Sequence, residues 1–407
     1  MRAPPIHVLL LLLLASTIPT VLTSEGDQSE SYKNCVSSCR SLRCSPSSPP
    51  LRLSLPLRLM RWSCADECRY ACQQQLTSLA FTLAPPDIQK IYSDLRKEGK
   101  GDWGWYDPDK LLGLPLGKVV QFHGKWPFKR LLGMQEPASV LFSLANLIQH
   151  ARWLPRLRQE LPRNFPVRRI YLWVPVVSMN AWFWSTVFHS RDWGWTEKMD
   201  YFSAASVILF SVFAAVVRLF RLWNDQADKG RYHNEVGWMT RSTIKKIIGF
   251  VSISALIAHC GYLSLWKFDY TYNMGASITL GVIHNLLWYG WSLSHFSSRR
   301  PPSLSTSSTK TPNQTRSRTA SSPYYYIPPI MCTALTLLMC LELFDFPPVG
   351  LAVDAHALWH ASTAPLTGIW YGFLIRDAKW LVGRDVDEGG GGSGGGEEKV
   401  RLVKREL

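Results

Sequence analysis

Acidic side chains are in short supply in this chain, with 30 Asp and Glu against 45 Lys and Arg and a formal net charge of +15. The shortage is local. Between residues 152 and 169 Glu160 stands alone against Arg152, Arg156, Arg158, Arg163, Arg168 and Arg169, and from 299 to 318 there is no acid at all. Charge of either sign is nearly missing from several apolar blocks, each roughly 20 residues long, the length that crosses a ~30 Å hydrocarbon layer. That pattern excludes an ordinary soluble protein. It also removes the usual inference from a basic chain, a nucleic-acid partner, because the excess base flanks apolar blocks and has its explanation there. Cysteine is almost absent after residue 72: Cys260, Cys332 and Cys340 each fall inside an apolar block, where free cysteine acts as a small packing residue.

What is present divides into parts. Met1-Arg2, the run Val8 to Ala15 and the small residues up to Ser24 form a secretory signal peptide over 1–24. Six cysteines follow at once: Cys35, Cys39, Cys44, Cys64, Cys68 and Cys72. An even set in an oxidising compartment is a disulfide framework, with a zinc knuckle as the rival, and spacing alone leaves the pairing open. Residues 25–133 are thus expected to form a small Cys-rich lumenal domain, carrying a basic, proline-bearing insertion at 45–61.

The fold class expected is all-α and polytopic, with seven transmembrane helices after that domain, together filling 134–376. The spans are placed at 136–151, 169–189, 201–222, 245–265, 270–295, 324–344 and 355–375. Asn146 makes the first the weakest. Helices are required because a backbone in lipid must satisfy its hydrogen bonds within the segment. Alternate connections are rich and poor in Lys and Arg, so the basic ones are cytosolic. The signal peptide independently puts the amino end in the lumen, and seven spans then put the carboxyl end in the cytosol. The low-complexity loop 301–322 is expected to be a disordered cytosolic segment, which leaves the sequon at Asn313 without a glycan. A Gly-rich cytosolic tail follows from 377 to 407, ending in Lys404-Arg405-Glu406-Leu407, similar to a dibasic retrieval signal.

The chemistry gathers at one depth. His356 and His360 open the last span, four residues apart and so on one helical face. Ser185 and His189 repeat that spacing at the lumenal end of the second span, and the short loop beyond supplies Asp192 and Asp200. The topology brings these groups to one leaflet from three helices. Three histidines suit Zn²⁺ with a fourth position open, the composition of a catalytic site. Zinc would lower the pKa of water towards ~7 and polarise a carbonyl. An aspartate would act as general base and Ser185 as hydrogen-bond donor to an oxyanion. The plainer alternative is a set of histidines hydrogen-bonded to water at headgroup level. Spacing does not choose between Asp192 and Asp200.

The set Ser185, His189, Asp200, His356 and His360 resembles that of the CREST membrane hydrolases, which include alkaline ceramidases. The stretches "GKWPFKRLLGMQEPASVLFSLANL" (124–147), "FDYTYNM" (268–274), "HNLLWYGW" (284–291) and "WSCADECRYAC" are similar to the GPI-anchor lipid-remodelling family within that group. The resemblance implies His189, His356 and His360 as zinc ligands, and Ser185 and Asp200 as catalytic residues. It also implies removal of the sn-2 acyl chain from the inositol phospholipid of GPI-anchored proteins, in the endoplasmic reticulum or Golgi membrane. A ceramidase-like amide hydrolase and a non-catalytic seven-span receptor or assembly factor are the competing expectations.

Overall fold

Helix formation in the first part follows from caps and cysteine spacing. The computed structural model describes residues 24–45, 52–83, 90, 113–223, 240–297 and 322–389. The expected signal peptide, the loop 301–321 and the tail beyond 389 lie outside the described residues. A single turn, α1 (Glu25–Gln28), leads into α2 (Glu30–Arg43), whose Cys35 and Cys39 sit one turn apart on one face. After the short α3 (Leu55–Leu59) comes α4 (Cys64–Thr82), started by a reciprocal Ser63–Asp66 capping box, with Cys64, Cys68 and Cys72 on one face. Laid antiparallel, the two faces join in reverse order as Cys35–Cys72, Cys39–Cys68 and Cys44–Cys64. Loops of this size are each worth about 3–4 kcal/mol in denatured-state entropy, less when nested. With their sulfurs bonded, these cysteines are not metal ligands. Tyr32, Leu76, Ala80 and Phe122 complete a small core around the hairpin.

Among the described residues, seven long helices then occupy the segments where spans are expected. They are α5 (Pro137–Glu160), α6 (Arg168–Ser190), α7 (Gly194–Leu219), α8 (Arg241–Gly261), α9 (Tyr270–Ser297), α10 (Ile327–Leu343) and α11 (Ala355–Gly389). A π-helical turn extends α8 to Trp266. Among the described residues two helical segments, Gly194–Leu219 and Arg241–Trp266, are long and apolar enough by composition to cross a membrane. Helices α5 and α11 outrun the apolar limits read from sequence, because hydropathy marks where hydrocarbon would end, whereas Leu, Arg, Gln and Glu continue a helix readily. Among the described residues there is no strand, only isolated bridges at turns.

The helices close a ring. Helix α5 packs on α6, α6 on α7, α7 on α9, α9 on α10, α10 on α11, and α11 returns to α5. Helix α8 leans on α7 from outside; none of its residues is buried, and Phe250, Ile253 and Ile257 are exposed. Inside, α5 presents a polar stripe, Ser139, Ser143, Asn146 and His150, at helical spacing and buried. The small serines allow close approach of backbones. Asn146 Nδ2 donates to the backbone oxygen of His360 at 2.8 Å. Trp182 Nε1 donates to His150 Nε2 at 3.1 Å, so His150 donates from Nδ1 to the Tyr371 hydroxyl at 2.6 Å.

The two ends of the ring differ. At the end away from the disulfide hairpin, Leu157, Val167, Val217 and Phe373 form a dry core. Beside it the Arg218 guanidinium forks onto Asp377 at 2.6 and 2.7 Å, and the Tyr171 hydroxyl donates to the same carboxylate at 3.1 Å. The end beneath the hairpin carries the histidines.

Candidate metal centre

Helix α11 starts where Asp354 Oδ1 accepts from the Ala357 amide at 2.9 Å, which sets His356 and His360 in its first two turns. His189 and Ser185 occupy the last two turns of α6, one turn apart. His189 and His360 are buried at 3% and 2% exposure, so each ring nitrogen needs a partner within the protein.

Three of those partners are oxygens on the Nδ1 side. His189 Nδ1 meets Glu136 Oε2 at 2.6 Å, His356 Nδ1 meets Glu342 Oε2 at 2.5 Å, and His360 Nδ1 meets Ser143 Oγ at 2.8 Å. The carboxylates fix the proton on Nδ1 of His189 and His356 and turn the Nε2 lone pairs the other way. All three Nε2 atoms then face one point: His356 Nε2 is 3.2 Å from that of His189 and 2.8 Å from that of His360. Lone pairs held so close repel unless a shared proton or a metal ion lies between them. Nitrogens on a tetrahedral zinc, at Zn–N of about 2.0–2.1 Å, stand about 3.3 Å apart. The donor set fits the ion that the sequence predicts, its three ligand atoms all within 4.8 Å of one another, with the outer carboxylates that commonly accompany metal-bound imidazole.

The other sequence-predicted residues fall in different places. Ser185 Oγ is 3.0 Å from Ser143 Oγ, which links it to His360 through one hydroxyl. Asp200, half-buried in the second turn of α7, interacts electrostatically with His356. Asp192 turns instead to Lys125, whose Nζ lies 3.0 Å from its Oδ2 and 2.7 Å from Glu136 Oε1. Burial alone would lower the Lys125 pKa, but Glu136 and Asp192 outweigh it and hold the ammonium above its ordinary range. His259 bonds to Tyr272 and Asn273 and His284 to Trp288, so neither takes part.

Glu136, Glu342, Ser143 and Lys125 escape the sequence reading. Glu342 carried a signal, being a carboxylate inside an apolar block, where an ionisable group needs a partner. Ser143 carried none, since serine is an ordinary small residue between packed helices.

The chain matches the Per1-like family over residues 54–378. It is 34% identical to Protein PER1 homolog of Schizosaccharomyces pombe, over 88% of this chain and 89% of the relative. It is 34% identical to the GPI-specific phospholipase A2-like PGAP3 of Xenopus tropicalis, over 90% and 95% of the two chains. With Post-GPI attachment to proteins factor 3 of Drosophila melanogaster the identity is 32%, over 89% and 91%. No solved structure matches. Matches of this extent place the chain in the Per1-like family.

Proposed function

We propose that this chain remodels the lipid of GPI anchors, hydrolysing the sn-2 acyl ester of the inositol phospholipid on GPI-anchored proteins. The relatives' names supply the substrate, GPI-specific phospholipase A2-like in Xenopus and post-GPI attachment factor in Drosophila. One observation carries the chemistry: three imidazoles, two buried and one half-buried, each held at Nδ1, with their Nε2 atoms converging. His189, His356 and His360 would hold Zn²⁺, which supplies Lewis acidity towards the ester carbonyl and towards water. In this reading all seven long helices cross the membrane. The hairpin and the histidines lie on the lumenal side of the endoplasmic reticulum or Golgi, the basic loops on the cytosolic side. The expected division follows, with a Cys-rich unit over 25–133 and a membrane unit over 134–376.

The protein's own groups then have separate tasks. Asp200 takes the proton of the attacking water and returns it to the departing glycerol oxygen, so ester and water become fatty acid and lysolipid. Ser143 accepts from His360 Nδ1 and donates to Ser185 Oγ. That leaves the Ser185 hydroxyl hydrogen free to stabilise the developing oxyanion. The histidines' own hydrogen bonds keep the rings from turning.

His360→Ala tests the reading. Expressed in cells whose own copy is deleted, the variant should reach normal abundance while GPI-anchored proteins keep their original sn-2 chains. A non-catalytic scaffold would retain function, and wild-type-like remodelling by the variant would exclude the hydrolase. Release of fatty acid from ceramide but not from purified GPI would redirect the substrate to the amide.

A further inference from the structure

Glu136 does not belong to the ring of helices in the way that the histidines do. It is the residue before Pro137, at the end of a strap, residues 121–136, that runs between the disulfide hairpin and the bundle. On one side the hairpin holds the strap. Gln74 of α4 donates to the carbonyls of Pro127 and Phe128 at 2.8 and 3.0 Å, and Trp62 Nε1 donates to that of Gly133 at 2.9 Å. Arg130 reaches back to Glu67 at 2.6 Å with its guanidinium over the Tyr70 ring. On the other side the strap is fastened to the end of α6: Gln135 N donates to Ser190 O and Glu136 N to His189 O, each at 3.0 Å.

The strap's reverse turn delivers Lys125. His123 and Gly124 have φ of 51° and 76°, the left-handed pair of a tight hairpin turn. Asp27 and Ser24 hold its two amides at 2.8 and 2.6 Å. A Cβ on Gly26 would stand 2.6 Å from Gln121 O and from the Phe122 ring, so the amino-terminal segment is seated tightly on the turn. Lys125 then meets Glu136, and Glu136 meets His189.

We propose that Glu136 is a positioning residue for His189, and that the disulfide hairpin acts on the metal centre through it by holding the strap in register. This rests on the metal centre proposed above. It gives the lumenal hairpin a task at the membrane unit: through the strap it steadies the outer carboxylate of one ligand, whereas α10 supplies that of His356 through Glu342.

The two carboxylates separate the hypothesis from general destabilisation. Full-length protein in detergent would be titrated with Co²⁺, read by its absorption bands, and with Zn²⁺ in competition. Glu136→Gln, which keeps an acceptor without charge, and Glu136→Ala should weaken binding in that order within the 10–100-fold range typical of such partners. Opening the hairpin with Cys39→Ser/Cys68→Ser should weaken binding by itself and in a Glu342→Gln background, but add nothing to Glu136→Ala. Unaltered affinity in Glu136→Ala, or an equal added loss in both backgrounds, would overturn the proposal. Wild-type protein that binds neither ion would remove the metal centre itself, before any variant is compared.

Discussion

Ser143 illustrates how a residue with no sequence signal acquires a role from its neighbours. It is fully buried between His360 Nδ1 at 2.8 Å and Ser185 Oγ at 3.0 Å. If it orients the Ser185 hydroxyl, Ser143→Ala should lower kcat about tenfold or more with little change in KM. Ser185→Ala should cost about 10²–10³, as loss of an oxyanion donor does. The double variant should lose less than the sum of the two single losses, because residues acting as one unit do not add. Additive losses would give Ser143 a separate role. Asn146 makes a related point: its polarity weakens the first span in the sequence, yet its side chain latches α5 to the His360 carbonyl at 2.8 Å. A polar residue counts against burial only until its partner is known.

Among the elements, α7 and α11 are joined by the Arg218–Asp377 fork, with both side chains at 4% exposure or less. Removing one partner leaves a buried charge uncompensated. Asp377→Asn should therefore destabilise the bundle by about 3–5 kcal/mol, measured by unfolding in detergent. Arg218→Leu/Asp377→Leu should cost less than the single change, since it leaves no charge behind. A single variant as stable as wild type would mean that water already reaches the pair. The hairpin elements teach a different lesson. Cysteines at helical spacing in two runs made a framework legible, but the nested order of its bridges needed the antiparallel placement of α2 and α4.

Across the whole molecule, dry packing and reactive chemistry occupy opposite ends of one ring. Leu157, Val167, Val217 and Phe373 close the end proposed as cytosolic, and the histidines open towards the end covered by the hairpin. The proposed topology makes that difference functional, since a lipid of the lumenal leaflet then meets the histidines and not the dry core. Glycosylation sequons inserted one at a time report sidedness. One placed in the 346–350 connection should be modified, whereas one placed near Arg163, and the native Asn313, should not. Modification near Arg163 would invert the bundle and put the site on the wrong face for the lumenal anchors proposed as substrate.

Composition and order along the chain were enough to specify helices, their approximate limits, a cysteine framework and the five residue positions that resemble a hydrolase set. These are local properties: run length, helical spacing and flanking charge are all written within a few turns of sequence. Which oxygen holds each imidazole was decided only by tertiary structure. Glu136 and His189 are 53 residues apart, Ser143 and His360 217 apart. No periodicity reaches across such distances; only the closing of α11 onto α5, and of the strap onto α6, brings donor and acceptor within bonding range.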